Sequence, residues 1–563
     1  MKKILAGALI VLVGIGVISF KEDDRNFQIA KNLDLFNSIF KELDMFYVDT
    51  IDAEKMIQNG VRGMLALTDP YTEYYPEEEM SSVKELTTGK YGGIGAAIRY
   101  YEAKDRIAVI EPTEGMPAAE AGVKAGDIIL AVGGKEMVRG DMKPQDFSEK
   151  VSQALRGEPG TSFILKVMRP LKNDSTILEF KITRKSIRTN PVPYYGMVRD
   201  SIGYLALSSF TENCSKDFKK AFIELKQKGA KALILDLRDN GGGSLSEAID
   251  IVNFFVPKGQ EIVVTKGKLK QAQGSYKTEN EPIDTKIPLA VLVNGGSASA
   301  SEIVSGSLQD LDRAVIIGTR TYGKGLVQTI RPLPYNGTLK VTTSKYYIPS
   351  GRCIQAIDYA KKNADGSVAR TPDSLTNVFH TAAGREVRDG GGIRPDIEVK
   401  GDRIPNIVFY LMNEDIIFDY ATQYCWDHPT MESVESFKLT DEDYRAFKEL
   451  VKSRDFTYDR QSEKMLKSLK EVAEFEGYME GASEEFKALE KKLNHNLDRD
   501  LDYFSKQIKT YIAQEIVTRY FYQRGAAMER LKDDEDLEKA ISVLKDGKQY
   551  SEILSVKKTP EAK

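Results

Sequence analysis

Apolar positions change their rhythm several times along the chain, and each rhythm predicts a different kind of element. From Ile4 to Phe20 they run almost without a break behind Lys2 and Lys3, and the acidic patch Glu22, Asp23, Asp24 follows. As a helix this run reaches roughly 25 Å, against roughly 30 Å for a hydrocarbon core, slightly short for a span yet long for the apolar part of a signal peptide. No Ala-x-Ala site closes it, so an uncleaved anchor is favoured over a cleaved signal, with Lys2 and Lys3 inside and the rest of the chain outside the cytoplasm. From Phe27 to about Met80 the spacing turns helical, with Leu35, Phe36, Ile39 and Phe40 as an apolar stripe and Thr68-Asp69-Pro70-Tyr71 as a turn. From about Ser82 to Arg188 short β-like runs take over, at 107–110, 128–132 and 163–167, punctuated by Gly and Pro.

From about Thr189 to Lys400, buried-looking strands at 205–207, 232–237, 289–293 and 314–317 alternate with helical stretches such as 216–226, the pattern of an α/β core. Beyond Ile404, Lys, Glu and Leu recur at helical spacing, as in Phe447, Leu450, Val451 or Leu466, Leu469, Val472, Ala473. Thr440 followed by Asp443 resembles a capping box. The expected segments are therefore an anchor or signal at 1–25, a helical domain at 26–81, a β-rich module at 82–188, an α/β core at 189–403 and a helical domain at 404–563. The last of these reads as a surface for docking, oligomerisation or an activator, and the basic tail 557–563 as a frayed end.

A chain of 563 residues with 41% hydrophobic and 29% charged residues has the composition of an ordinary globular protein of several domains. Lys and Arg number 80 against 84 Asp and Glu, a net charge of -4, so no global field draws a nucleic acid backbone. The three cysteines, Cys214, Cys353 and Cys425, are far apart and exclude a CxxC-type zinc site. There is no HExxH and no His/Cys cluster, so no metal is expected.

Chemistry concentrates in Asn294-Gly-Gly-Ser-Ala-Ser-Ala-Ser-Glu302, a turn from the apolar run 289–293 into a helical stretch at 303–311. Unpaired N–H groups at a helix start can stabilise charge developing on a substrate carbonyl. Ser297, Ser299 and Ser301 all compete for the nucleophile's place, and Ser299 with Glu302 also fits a plain capping box, which on this segment alone is the commoner meaning. A serine needs a base. Of three histidines, His428 and His495 fall in the helical tail, leaving His380; Lys324, between two glycines and two strand-like runs, is the better candidate. As a base near neutral pH it must lose about three units from about 10.4, through burial or a cationic neighbour. The segment 318–325 nearly spells a phosphate-binding loop, but Gly325 stands where the magnesium-binding hydroxyl belongs and a strand follows instead of a helix. Gly93-Ile94-Gly95 lacks the third glycine of a dinucleotide fingerprint. No nucleotide or other cofactor is indicated.

With the serine segment and Tyr322-Gly-Lys324-Gly-Leu-Val-Gln328 together, the chain resembles the C-terminal processing peptidases, or tail-specific proteases, from about Asp34 to about Val399. The resemblance implies a crotonase/ClpP-like α/β core, Ser299 as nucleophile, Lys324 as base and Gln328 orienting the lysine. It implies an oxyanion hole from the backbone of Ala300 and of Gly242, within Asp236-Leu-Arg-Asp-Asn-Gly-Gly-Gly243, where Gly241 replaces the Pro or Ser common in relatives. The β-rich module is similar to an inserted PDZ domain, Tyr91-Gly-Gly-Ile-Gly-Ala96 matching its carboxylate-binding loop and Pro117-Ala-Ala-Glu-Ala-Gly122 with Gly126-Asp127-Ile128-Ile129 its second half. Gly93, Ile94, Gly95 and Ala96 would then hold the free C-terminus of a protein or peptide substrate, added to the domain as a strand. Segments 347–352 and 389–396 are expected to close the core without chemistry. Two other readings stay open: a membrane-tethered PDZ adaptor with a silent core, and an amidase or esterase on a crotonase-like fold.

Overall fold

The computed structural model describes residues 2–172, 174–199, 201–359, 368–400, 404–493 and 496–555, with side chains described for all of these but 2–23, 81–83 and 86. The side chains of the apolar run 4–20, His495 and the basic tail 557–563 therefore lie outside what is described; among the described residues no helix is long and apolar enough to cross a membrane. Two compact units form, Met1–Glu77 with Gln328–Thr342, and Glu78–Val327 with Thr343–Lys563.

In the first unit, helices Lys2–Phe46 and Ala53–Leu65 are followed by strand Glu73–Tyr75, paired antiparallel with Thr338–Lys340. The helical pattern read from 27 to 80 thus stops at Leu65. Asp69 Oδ1 accepts from the N–H groups of Tyr71 and Thr72 at 2.9 and 3.0 Å, and this turn redirects the chain into a strand. The stripe Leu35, Phe36 and Ile39 stays more than half exposed, at 55%, 52% and 51%, so the periodicity marks a face without marking a core.

The second unit opens with an antiparallel sheet of β1 (Ala96–Tyr101), β2 (Arg106–Pro112), β3 (Ile128–Val132), β4 (Ser162–Pro170) and β5 (Ser175–Thr183), in that order, with short strand Lys135–Glu136 beside β3. Between β3 and β4 runs α1 (Pro144–Leu155), which buries Phe147, Val151 and Leu155, one per turn, against Ile107, Val109, Ile129 and Leu165. Among the described residues β1 pairs only with β2, so it is an edge strand.

The core that follows is a six-stranded sheet: β6 (Tyr195–Arg199), β7 (Ile202–Ala206), β8 (Ala232–Asp236), β9 (Leu289–Val293), β10 (Val315–Gly318) and β11 (Ile397–Glu398), parallel from β7 onward with β6 antiparallel at the edge. Every residue of β8, β9 and β10 is buried, which is why these runs, apart from Asp236 at the end of β8, are apolar instead of alternating. Alternate side chains meet different helices. Leu233, Leu235, Leu289, Val291, Val293 and Ile316 pack under α2 (Cys214–Gln227), α3 (Leu245–Asn253) and α4 (Ala300–Asp310).

Ile234, Ala290, Leu292, Val315 and Ile317 face the other way, onto Leu537, Ala540, Ile541 and Leu544 of a helix beyond residue 404. That region also contains α5 (Ile416–Asp427) and α6 (Ser505–Arg530), which share a core with Phe447, and the helix on the sheet is α7 (Glu535–Lys545). Phe418 of α5 packs on Tyr101, Ala108 and Ile128 of the β1–β5 sheet, Tyr101 Oη donates to Asp419 at 2.8 Å, and Arg99 pairs with Asp415. The region expected to offer a docking surface is thus built into its own chain, contacting both the small sheet and the core.

The far end of α4 is held by a wholly buried pair. Arg352 Nη2 donates to Asp310 Oδ1 at 2.7 Å and to Gln309 Oε1 at 2.8 Å, while Asp310 Oδ2 accepts from Ser350 N at 3.0 Å. Burial pushes Arg352 down and Asp310 up, outweighing their mutual attraction. Arg352→Met, which strands a buried carboxylate, is expected to lower stability by about 3–5 kcal/mol, and the double change with Asp310→Leu to recover part of it, as urea unfolding would read. At the other contact, burial raises Asp415 from 3.8 to about 6 despite Arg99. A raised carboxyl contributes stability below its unfolded value that is lost as pH rises through the folded one. Unfolding of wild type and Asp415→Asn compared across pH 3.8 to about 6 should therefore show wild type losing stability relative to the variant.

Candidate active site

Strand β9 ends at Val293, and the chain turns through 294–299 before α4 begins at Ala300. Ser299 is the N-cap, with φ 55° and ψ −112°, a conformation that costs a non-glycine residue about 1–3 kcal/mol. Its neighbours are otherwise engaged. Ser297 is wholly buried, its Oγ accepting from Asn294 N at 3.0 Å and donating to Leu237 O at 2.7 Å. Ser301, equally buried, donates to Asn240 O at 2.8 Å. Only Ser299 of the three is partly exposed. The Glu302 N–H bonds the Ser299 carbonyl at 2.9 Å, and in return the Ser299 N–H donates to Glu302 Oε2 at 2.9 Å.

Glu302 does more than cap. Its carboxylate, with no exposed surface, also accepts from Lys324 N at 2.8 Å on Oε2, and from Gly323 N at 2.7 Å and Thr321 Oγ1 at 2.6 Å on Oε1. One oxygen therefore receives the N–H of both Ser299 and Lys324, placing the two backbones within two hydrogen-bond lengths of each other. A second tie repeats the first: buried Tyr346 has its hydroxyl 2.7 Å from Lys324 O and 3.2 Å from Ser299 O, sharing its proton between them. Burial raises the Glu302 carboxyl against the pull of its four donors, and burial followed by the Glu302 charge raises the Tyr346 phenol. Gly323 has φ 90°, and a Cβ there would lie 2.4 Å from that of Ala356, so only glycine fits the loop beside Lys324. Lys324 itself is half-buried.

The glycine loop after β8 is stitched to the serine turn by Asn240, a wholly buried side chain. Asn240 Nδ2 donates to Leu207 O at 2.7 Å, Oδ1 accepts from Gly242 N at 2.9 Å, and its carbonyl accepts from Ala298 N at 3.0 Å as well as from Ser301. At Gly242, φ is 101° and a Cβ would fall 2.8 Å from Ser299 Cβ and 3.0 Å from Ala300 N. The Ala300 N–H opens α4 without an intrahelical acceptor. Gly242 thus keeps the approach to that amide clear while its own N–H is committed to Asn240. Of the two amides expected to form an oxyanion hole, only that of Ala300 is open in this arrangement.

Gln328 lies on strand Leu326–Pro332 in the other compact unit and donates to Thr342 Oγ1 at 3.1 Å, so the ties around Glu302 do not include it. His380 is exposed on the ribbon formed by Val378–His380 and Glu386–Arg388, outside these ties. Ahead of the small sheet, Gly93 ends strand Lys90–Gly93, which pairs with Lys185–Arg188 in a ribbon of its own, Ile94 turns into the core, Gly95 has φ 68° and Ala96 opens β1. The carbonyls of Ile94 and Gly95 are taken by Ala118 N and Thr113 N at 2.9 and 2.8 Å, while their N–H groups have no backbone partner among the described residues. Unfilled amides at the start of an edge strand are what a terminal carboxylate needs. Among the described residues no group of His, Cys, Asp and Glu is arranged to hold a metal ion. Sequence reading passed over Asn240 and Tyr346, and it saw Glu302 only as a cap.

Replacing one acceptor oxygen by an NH2 group, Glu302→Gln sets a donor against backbone donors. The amides of Gly323 and Lys324, expected to exchange slowly in wild type, should then exchange fast.

Three family models match the chain: peptidase family S41 at residues 201–361, a PDZ domain at 109–169, and the C-terminal helical domain of a probable PDZ-protease at 407–544. A carboxy-terminal-processing protease of Bartonella bacilliformis is 40% identical over 331 residues, 58% of this chain and 73% of the relative. A probable CtpA-like serine protease of Staphylococcus epidermidis is 34% identical over 357 residues, 62% of this chain and 69% of the relative. Among solved structures, the photosystem II D1 C-terminal processing protease is 27% identical, covering 66% of this chain and 94% of its own at a TM-score of 0.35. With its peptidase core, its PDZ domain and relatives matched over most of their length, the chain belongs to the carboxy-terminal-processing serine proteases of peptidase family S41.

Proposed function

We propose that the chain is a membrane-anchored endopeptidase that processes protein C-terminal tails outside the cytoplasm with a Ser/Lys dyad. Ser299 Oγ attacks a substrate carbonyl and neutral Lys324 takes its proton. The tetrahedral adduct collapses to an acyl-enzyme as the amine leaves with that proton, and a water deprotonated by the same lysine releases the acid. The Ala300 N–H faces the developing oxyanion, and Gly93, Ile94, Gly95 and Ala96 receive the substrate's terminal carboxylate. The observation that carries this reading is the single Glu302 oxygen bonded to the N–H of both Ser299 and Lys324. A parallel sheet whose strand β9 feeds the serine turn supports a crotonase/ClpP-like description of the core. Anchoring through residues 4–20 rests on the dibasic, apolar sequence pattern.

The silent-adaptor reading draws on one feature, the Gly242 N–H spent on Asn240, since a second oxyanion donor requires that peptide to turn. One experiment separates the two. The full-length chain in detergent is incubated with a protein bearing an apolar C-terminal tail, and products are followed by mass spectrometry. Ser299→Ala and Lys324→Ala should each abolish trimming while still binding the tail, and amidating the tail should weaken trimming by wild type. Turnover surviving in Lys324→Ala overturns the dyad, and equal trimming of free and amidated tails overturns carboxylate recognition.

A further inference from the structure

The glycine loop beside Ser299 is gripped from a distant part of the chain. Arg238, two residues before Asn240, forks onto Asp534: Nη1 donates to Oδ1 at 2.9 Å and Nη2 to Oδ2 at 2.6 Å. Nη1 also reaches Asp536 Oδ2 at 3.0 Å. From its own strand end, Asp236 accepts from Arg238 Nε at 3.0 Å and Nη2 at 2.6 Å, and its Oδ2 accepts from Tyr204 Oη at 2.6 Å. The side chains of Arg238 and Asp534 are only 16% and 5% exposed. Asp534 is in turn the N-cap of α7, its Oδ1 accepting from Leu537 N at 3.0 Å, and α7 is seated on the sheet by Leu537, Ala540, Ile541 and Leu544.

We propose that Asp534, at the start of α7, is a positioning residue that sets the glycine loop beside Ser299 through its clamp on Arg238. The path is continuous. Arg238 leads into Asn240, whose carbonyl receives Ala298 N and Ser301 Oγ, and those two residues enclose Ser299. Beyond Asn240 the loop is three glycines; Gly242 is held by Asn240 Oδ1 at 2.9 Å and by Phe210 N at 3.0 Å, so the Arg238 clamp acts on Gly242 through the placement of Asn240. Docking alone does not explain the cluster: apolar contacts already seat α7, and buried charges add little net stability compared with apolar groups of the same size. A planar guanidinium held bidentately fixes direction as well as distance.

The inference rests on Ser299 being the nucleophile, and its test separates the two. Asp534→Asn keeps a good N-cap while losing the charged fork. On a tailed protein substrate, the full-length variant should lose about ten- to a hundredfold in kcat with KM within about twofold of wild type, the signature of a displaced reacting group. Tyr550→Phe serves as the control, because it removes a contact of the same region with Leu289, away from the loop. It should lower Tm and leave kcat unchanged. Should Asp534→Asn fail to fold, Arg238→Lys, which keeps the charge but not the fork, should show the same split. A wild-type kcat in the folded clamp variants, or an equal kcat loss in Tyr550→Phe at matched Tm, overturns the proposal. Trimming that persists in Ser299→Ala overturns the reading beneath it, and the proposal with it.

Discussion

A carboxylate taken wholly out of water is tolerable only when hydrogen-bond donors replace its hydration. Glu302 has four, and the choice of donors organises the site: the N-cap of α4 on one side and three groups of the loop Thr321–Lys324 on the other. Two segments that leave neighbouring strands of the sheet are brought into register through backbone atoms, so the approach of Ser299 to Lys324 does not depend on their side chains. Tyr346 repeats the tie through the carbonyls of the same two residues, which makes the arrangement resistant to loss of either bond alone. The unfavourable φ of Ser299 is held by this surrounding network.

What could be read from the sequence was whatever is local or periodic. The apolar run 289–293 is strand β9, and Thr440 with Asp443 does form a capping box. The strand and helix alternation that suggested an α/β core corresponds to a parallel sheet with helices packed on it, because doubly buried strands are apolar at nearly every position. What escaped was direction and partnership. Three serines two residues apart are chemically alike, and only folding shows that Ser297 and Ser301 turn inward. The i to i+3 spacing of Ser299 and Glu302 announces a cap, but nothing announces that the same carboxylate reaches Gly323 and Lys324. A glycine in the loop predicts an unusual φ at Gly242, not which way its N–H points. The stripe at Leu35, Phe36 and Ile39 has a helical period, and period alone cannot say whether anything covers it.

The region beyond Ile404 illustrates the same limit on a larger scale. Its helices are amphipathic in sequence, yet amphipathicity names no partner. In the fold, α7 covers the face of the parallel sheet that α2, α3 and α4 leave bare, and α5 lies against the PDZ sheet through Phe418. A parallel sheet needs cover on both faces, and here the second cover comes from a different domain.

That placement has a consequence for how the chain is made. Strand β10 is complete at Gly318, but the helix that shields one of its faces begins only at Glu535. During synthesis Ile234, Leu292 and Ile317 emerge long before Leu537 and Ile541 exist to meet them, so the nascent core carries an open apolar surface that only late, sequence-distant contacts can close. Folding should therefore be slow and dependent on whatever shields that surface in the interval, and a ribosome that stalls before α7 would release an incomplete core, with its sheet open to aggregation.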